Sequence, residues 1–231
     1  MLVATANVLR SITPAEAGAA LDAVLDHRPD LVALQEWGPR RRAILRARPD
    51  YAWISPWYGE NALLARRDRF GLVDARLRLV GGLGLADRDA RDVPVLPPRT
   101  VLHARLHDRE RDRAVSVVGY HLVPGVQRAG AYRDDRPRLV ARHRLELRRL
   151  HAVVRHELDA GAEVWALGDA NFDGLEIPGL VSAWAGRRDD PRGTLGPGSR
   201  RKIDDVFGPG PADDVVLLRS ASDHAAVLAR R

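Results

Sequence analysis

The chain has 231 residues and a formal net charge of +6, with 37 Lys plus Arg against 31 Asp plus Glu. That length suits one large domain with a sizeable core, so a single domain over residues 1–231 is expected. There is no cysteine, which excludes disulfides and thiolate metal sites and leaves a metal to oxygen and imidazole donors, the preference of a hard ion such as Mg2+ or Mn2+.

Leu2 to Val8 (LVATANV) has the apolar content of a strand and ends near Asn7. No run is long and apolar enough to span a bilayer, and MLVATANVLR reads as a folded strand instead of a signal peptide. A cytoplasmic monomer with no membrane partner is therefore expected. Thr13-Pro14-Ala15-Glu16 reads as a helix start, with Thr13 as cap, Pro14 at the first position and Glu16 completing a capping box. Ala17, Leu21, Val24 and Leu25 recur at helical spacing, and Pro29 closes the segment. Asp30 to Glu36 (DLVALQE) reads as a buried strand ending on an acid.

Tyr51 to Trp57 and Asn61 to Ala65 read as two strands joined by a Pro-Trp-Tyr-Gly turn. Gly81 to Pro98, rich in Gly, Asp, Arg and Pro, reads as a long surface loop. Thr100 to Leu106 and Ala114 to Tyr120 read as a strand pair, with Asp108 to Asp112 as its polar turn. Arg136 to Gly161 is the clearest helix, with Pro137 near its start and Gly161 past its end. Its apolar stripe is Leu139, Val140, Leu147, Leu150, Val154 and Leu158. Val164 to Leu167 leads as a strand into Gly168-Asp169, and Ile203 to Phe207 and Ala225 to Leu228 are the last strands. No repeat or linker divides the chain.

The informative pattern is where polar residues fall. Asn7, Glu36, His121, Asp169, Asn171, Asp204 and His224 each lie in or just after an apolar strand-like run. In a stacked-sheet protein such ends converge on one rim. Collecting carboxylates, amides and imidazoles there costs desolvation, which a metal or an anionic substrate offsets. The basic charge balance also points to an anionic partner such as nucleic acid. That signal is diluted, because the arginines are spread along the chain and Lys202 is the only lysine.

These segments, in this order, resemble the endonuclease/exonuclease/phosphatase superfamily, also called DNase I-like. TANVLR is similar to its first strand with the site asparagine, and DLVALQE to its Leu-Gln-Glu motif. NALLAR is similar to its Asn-Ala-Ile-Leu-Ser-Arg strand, and PPRTVLHARL to the strand whose arginine lies near phosphate. GYHL, LGDANFD, KIDDVF and SDHAAVLA resemble its Thr-His-Leu, Gly-Asp-x-Asn, Arg-Ile-Asp-Tyr-Ile-Phe and Ser-Asp-His motifs. Each match alone is weak; the ordered set spans nearly the whole chain. Three departures stand out. GYHL lacks the Thr before its histidine. Leu9 stands where some DNA-repair members carry an acid. Asp205 stands where an aromatic is common, which leaves Asp205 open beside Asp204 as the partner of His224.

The resemblance implies an α/β fold, a four-layer α/β/β/α sandwich of two mixed β-sheets. It implies a Mg2+- or Mn2+-dependent phosphodiester hydrolase, a nuclease acting on DNA or RNA. Glu36, Asn7 and Asp223 would hold the metal. Asp169 would take the proton of the attacking water, and Asn171 would orient that water or bind a phosphoryl oxygen. His224, held by Asp204, and His121 would face the phosphate, and Arg99 would clamp it. Alternatives are a phosphatase or phospholipid phosphodiesterase of the same superfamily, or a noncatalytic nucleic-acid-binding module.

Taken singly, the same residues have plainer readings. Asn7 can cap a turn, Glu36 can start a helix, Asp169 and Asn171 can be a turn pair, Asp223 can be an N-cap, and Arg99 can be one surface arginine among many. His103 and His107 belong to no motif, and His143, His151 and His156 are expected at the surface or core edge of the long helix. Trp53 is expected in the core. Trp57, Tyr58 and Tyr132 are candidates for stacking on bases. Arg128, Arg133, Arg136 and Arg138 crowd one loop, as a phosphate track or a solvated surface.

Overall fold

The structure, a computed structural model, describes residues 1–87, 95–187 and 189–231. Its first half runs β1 (Leu2–Asn7), α1 (Pro14–Leu25), β2 (Leu31–Gln35), a 3-10 turn (Pro39–Arg41) leading into α2 (Arg42–Arg46), β3 (Tyr51–Ile54), β4 (Ala62–Arg66) and β5 (Phe70–Gly81). The second half runs β6 (Arg99–Asp108), β7 (Arg113–His121), α3 (Pro137–Asp159), β8 (Glu163–Asp169), β9 (Val181–Ser182), β10 (Asp204–Gly208), β11 (Asp214–Leu218) and β12 (Ala226–Arg230).

These strands form two six-stranded sheets, ordered β11-β12-β1-β2-β4-β3 and β9-β10-β8-β7-β6-β5. Each is mixed. β1 and β2 are parallel, as are β7 and β8, and each parallel pair is bridged by a crossover containing one long helix, as parallel pairing requires. The inner faces meet through Val3, Leu31, Ala33 and Leu63 of the first sheet and Leu102, Ala104, Val117, Leu167 and Val206 of the second. The first sheet's outer face packs under α1 and α2, with Leu21, Val24 and Leu45 against Val32 and Leu34. The second sheet's outer face packs under α3, with Leu150 and Val154 in one cluster with Tyr120, Val164 and Ala166. The result is the expected four-layer sandwich.

Local signals act as the sequence suggests at both long helices. The Thr13 Oγ1 accepts from Glu16 N–H at 3.2 Å, and Thr13 N–H donates to Glu16 Oε2 at 2.8 Å, closing the capping box. The stripe on α3 faces the core, with Leu139, Val140, Leu150 and Val154 buried and Leu147 and Leu158 partly buried. His143 departs from the expectation of a surface or core-edge position. It is fully buried, with Nε2 2.8 Å from the Ala170 carbonyl and Nδ1 3.0 Å from the Tyr132 hydroxyl. The carbonyl can only accept, so Nε2 carries the proton and Nδ1 accepts from Tyr132. Tyr132 also packs on Phe172, ring centroids 4.5 Å apart, so it supports the core instead of offering a free stacking face.

Three elements escape the sequence pattern. Strand β5 is an edge strand with bulges at Leu72/Asp74 and Leu79/Gly81, which break the alternation that marks a strand. Strand β11 is likewise an edge, and α2 is a single short turn, Ala43, Ile44 and Leu45 between two arginines. Of the loop expected over residues 81–98, residues 88–94 lie outside the described residues. Its flanks pair with each other, Gly84 with Leu96 and Leu85 with Val95.

Among the glycines that set close approaches, Gly119 and Gly168 lie on the central strands β7 and β8. A Cβ at Gly119 would lie 3.0 Å from Leu63 Cδ2 across the sandwich. At Gly168 a Cβ would collide with the Tyr120 carbonyl on the neighbouring strand. Gly168→Ala must therefore push β8 away from β7 beside Asp169. It is expected to destabilise the fold by about 1–3 kcal/mol, read as a lower urea midpoint at unchanged slope. A midpoint equal to the parent's would show that the two strands are not held this closely.

Candidate active site

The strand ends explain why the polar residues meet. Asn7, His121 and Asp169 are the last residues of β1, β7 and β8. Glu36 directly follows β2, Arg99 and Asp204 open the antiparallel β6 and β10, and His224 lies two residues before β12. Within the second sheet, Asp169 pairs in register with His121 on one side and Asp204 on the other. All of these residues therefore stand on one rim, the first sheet supplying Asn7, Glu36 and His224, and the second sheet the rest.

Asp169 is at the centre and only 1% exposed. Its Oδ2 accepts from Asn7 Nδ2 at 3.0 Å, and its Oδ1 accepts from Asn171 N–H at 2.7 Å. His121 Nε2 lies 3.6 Å and His224 Nδ1 3.8 Å from Oδ2. Asn7 Nδ2 also reaches Glu36 Oε1 at 3.4 Å, and Glu36 Oε2 accepts from Arg10 N–H at 2.9 Å. Asn171 donates through Nδ2 to the Leu122 carbonyl at 3.0 Å. Asp204 Oδ2 accepts from His224 Nδ1 at 2.8 Å. Asp205 faces away, bound to Ser182 Oγ at 2.5 Å and Ala183 N–H at 3.1 Å, so the choice between the two acids falls on Asp204.

Glu36 and Asn171 both take left-handed backbone conformations, φ 56° and 52°, uncommon for residues with a side chain. At Glu36 the turn is held from both sides. Trp37 N–H donates to the Glu60 carbonyl at 2.9 Å. The buried Arg41 donates to the carbonyls of Val8, Leu9, Arg10 and Ile12 at 2.6 to 3.1 Å. Ser222 joins the last strand to the first. Its Oγ donates to the Asn7 carbonyl at 2.7 Å and accepts from Leu9 N–H at 3.2 Å.

Glu60, which sequence reasoning missed, belongs to the same cluster. Its Oε1 contacts Arg99 Nη1 and lies 3.0 Å from His121 Nδ1, and its Oε2 accepts from Arg10 at 2.9 Å. An acid directly before the NALLAR strand was the available signal, mirroring Glu36 directly after its own. Arg99 is 3.2 Å from His121 Nδ1. The loop after His121 is paired internally, Arg133 with Asp135 at 2.5 Å and Arg128 with Asp135 at 3.6 Å. Lys202 is turned inward, its Nζ bound to the Asp190 carbonyl at 2.7 Å and lying 5.5 Å over the Trp184 ring.

Burial and charge push the two imidazoles in opposite directions. Burial and the Arg99 cation lower His121 to about 4, against Asp169 and Glu36. At His224 burial opposes the charge, but the Asp204 hydrogen bond and charge, with Asp169 and Asp223, outweigh it and raise the pKa to about 9. Burial, then Asp204, raises Asp169 above an ordinary carboxyl. Burial also works against charge on Glu36, yet the Arg10 N–H, His121 and Asn7 hold it below the usual range.

The donors fit a hard divalent ion. Asn7 Oδ1 is buried without a hydrogen-bond partner, beside the Glu36 carboxylate, whose oxygens each accept one hydrogen bond and keep lone pairs to offer a cation. Asp169, Asp204 and His224 form a second compact group, one donor atom of each within 4.8 Å of the others. Asp223, expected with Glu36 and Asn7, is exposed and lies outside that compact group.

No protein-family model matches the chain, and no curated protein matches its sequence. Solved structures do match. D. rerio TDP2, complexed with a single-strand DNA product, is similar at TM-score 0.70 and 16% identity over 99% of this chain and 97% of that one. An endonuclease/exonuclease/phosphatase family protein from Bacteroides thetaiotaomicron is similar at 0.70 and 16% over 99% and 93%. A mannosyl-6-phosphatase from the same organism is similar at 0.70 and 15% over 100% and 98%. The shared property is the DNase I-like sandwich.

The His224–Asp204 pair gives a pH signature. His224 is raised from an ordinary 6.5 to about 9, so the folded state binds its proton more tightly than the unfolded chain. The stability this confers is complete below pH 6.5 and is lost as pH rises through about 9. Asp204→Asn is expected to flatten the fall in unfolding free energy across that window and to lower the His224 titration followed by NMR. An unchanged His224 titration in the variant would overturn the pairing.

Proposed function

We propose that this protein is a divalent-metal-dependent phosphodiester hydrolase acting on nucleic acid strands, DNA or RNA. The observation that carries it is the meeting of a buried carboxylate, two oppositely tuned imidazoles, an arginine and an oxygen-donor pair on one rim. Hydrolysis needs an activated water, charge stabilisation at phosphorus and a fixed geometry. Asp169, more basic than an ordinary carboxylate, accepts the water's proton, and Asn171 orients that water. His224 is a cation at neutral pH. Asp204 occupies its Nδ1, which leaves Nε2–H to bind a phosphoryl oxygen. Arg99 binds phosphate on the other flank. His121, lowered to about 4, is neutral at pH 7 and serves as a hydrogen-bonding group. Glu36 and Asn7 would hold Mg2+ or Mn2+, which when bound neutralises phosphoryl charge.

The net charge of +6 and the fold shared with D. rerio TDP2, solved with single-strand DNA, support the nucleic-acid reading. The fold shared equally with a mannosyl-6-phosphatase keeps a sugar phosphate as the second reading. A noncatalytic binding module has no reason to keep Glu36, Asp169 and His224 together.

A substrate panel tests this: single- and double-stranded DNA, RNA, abasic DNA, a sugar phosphate and bis(p-nitrophenyl) phosphate, each with Mg2+ and Mn2+. Cleavage of a nucleic acid that stops in excess chelator is expected, and full turnover in chelator would sink the metal assignment. Asp169→Asn is expected to lower kcat by about 10²–10⁴-fold while the fold is retained. Parental activity in that variant would mean another group activates the water.

A further inference from the structure

The turn between β3 and β4 holds two aromatic rings in solvent at the edge of the cleft. Trp57 is 77% and Tyr58 54% exposed, three and two residues before Glu60. Exposed rings of this size call for a reason. The other tryptophans conform to the rule: Trp37, Trp165 and Trp184 are fully buried and Trp53 is half-buried.

The turn is anchored. Gly59 takes φ +98°, and a Cβ there would lie 2.9 Å from Thr100 Oγ1 and 3.7 Å from Leu77 Cδ2, so only glycine fits. Asn61 Nδ2 donates to the Thr100 carbonyl at 3.0 Å. The Arg42 guanidinium lies over the Trp57 ring, 4.4 Å from its centroid. One face of the indole is thus covered by a cation, and its large exposure leaves the other face open. The exposed Arg10 pairs with Glu60 at 2.9 Å, so a second cation stands at the end of the same turn.

We propose that Trp57, with Tyr58 beside it, is a stacking platform for an unpaired base, which makes single-stranded nucleic acid the substrate class of this site. A flat ring on an anchored turn meets a base with little loss of freedom, and flanking arginines suit the phosphates on either side of that base. In a duplex the base faces are covered by their neighbours and only the edges are offered, so the platform selects single strands. The inference rests on the nucleic-acid reading of the catalytic site. Leu79, paired with Thr100, and the nearby Leu83 and Leu85 are also exposed. A lipid surface is therefore the competing occupant, but Arg42 against the Trp57 ring and Arg10 at Glu60 favour a strand.

The test uses the full chain in chelator, with a 15-residue oligo(dT), the same oligomer paired with oligo(dA), and vesicles containing an anionic lipid. Trp57 is the most exposed indole, so its quenching reports contact in the parent, and the anisotropy of a fluorophore on the oligomer gives the affinity of the parent and of each variant. Expected results are saturable quenching by oligo(dT), weaker binding of the duplex, and at least about a ten-fold loss of oligo(dT) affinity in Trp57→Leu, with Trp57→Phe close to the parent. Trp57→Leu and Trp57→Phe are expected to unfold at the parent's urea midpoint, so a loss of affinity is separated from a loss of fold. Equal affinity of Trp57→Leu and parent for oligo(dT), or equal affinity of the parent for strand and duplex, overturns the platform. Trp57-dependent vesicle binding without oligo(dT) quenching overturns it in favour of membrane docking. Oligo(dT) binding without cleavage of any nucleic acid refutes the nuclease reading and leaves the platform standing.

Discussion

The hydrogen bond from Asn7 to Asp169 ties the end of one sheet to the end of the other, and the rest of the site is arranged around it. A carboxylate this deeply buried is unfavourable unless its lone pairs are used and its charge is matched. Asn7 comes from the first sheet, Asn171 from the turn after β8, and two imidazoles stand within 4 Å. Remove the sandwich and no local segment could assemble that set. The parallel pairs explain why it can be assembled at all. Parallel neighbours end at the same edge, so β1 with β2, and β7 with β8, each deliver two residues to one rim without a turn between them.

That rim separates two imidazoles that would be equivalent in water. Arg99 and burial keep His121 neutral, while Asp204 keeps His224 charged. One histidine offers a positive charge to an anion, and the other offers polarity without adding repulsion against Arg99. Glu60 completes the balance, placing an acid between two arginines that would otherwise face each other across the cleft. Environments that push like groups apart are how a site assigns distinct tasks to identical side chains.

Much of this was legible in the sequence for a simple reason: apolar runs that stop on a polar residue announce a strand end. Glu36, His121 and Asp169 were visible that way, Asp204 as an acid within a strand-like run, and the capping box at Thr13 and the stripe on α3 from spacing. Other features were hidden by physics that spacing does not record. Glu60 sits among Pro, Trp, Tyr and Gly in a turn, where an acid reads as solvated. Arg41 is one of a run of four basic or prolyl residues, and nothing in that run says that its guanidinium turns inward to hold four carbonyls. The edge strand β5 has bulges that erase its alternation. His143 lies on the helix face that meets Tyr132 and Ala170, partners contributed by distant segments.

The single lysine carries a practical consequence for handling the molecule. With Lys202 folded over Trp184 and bonded to the Asp190 carbonyl, the only side-chain amine is shielded. The chain also lacks cysteine. Reagents that attack amines or thiols therefore find almost nothing to react with on the native surface. A cysteine introduced at one exposed position becomes a unique address for a fluorophore or a spin label, so local changes at the rim can be followed without first stripping competing groups from the background.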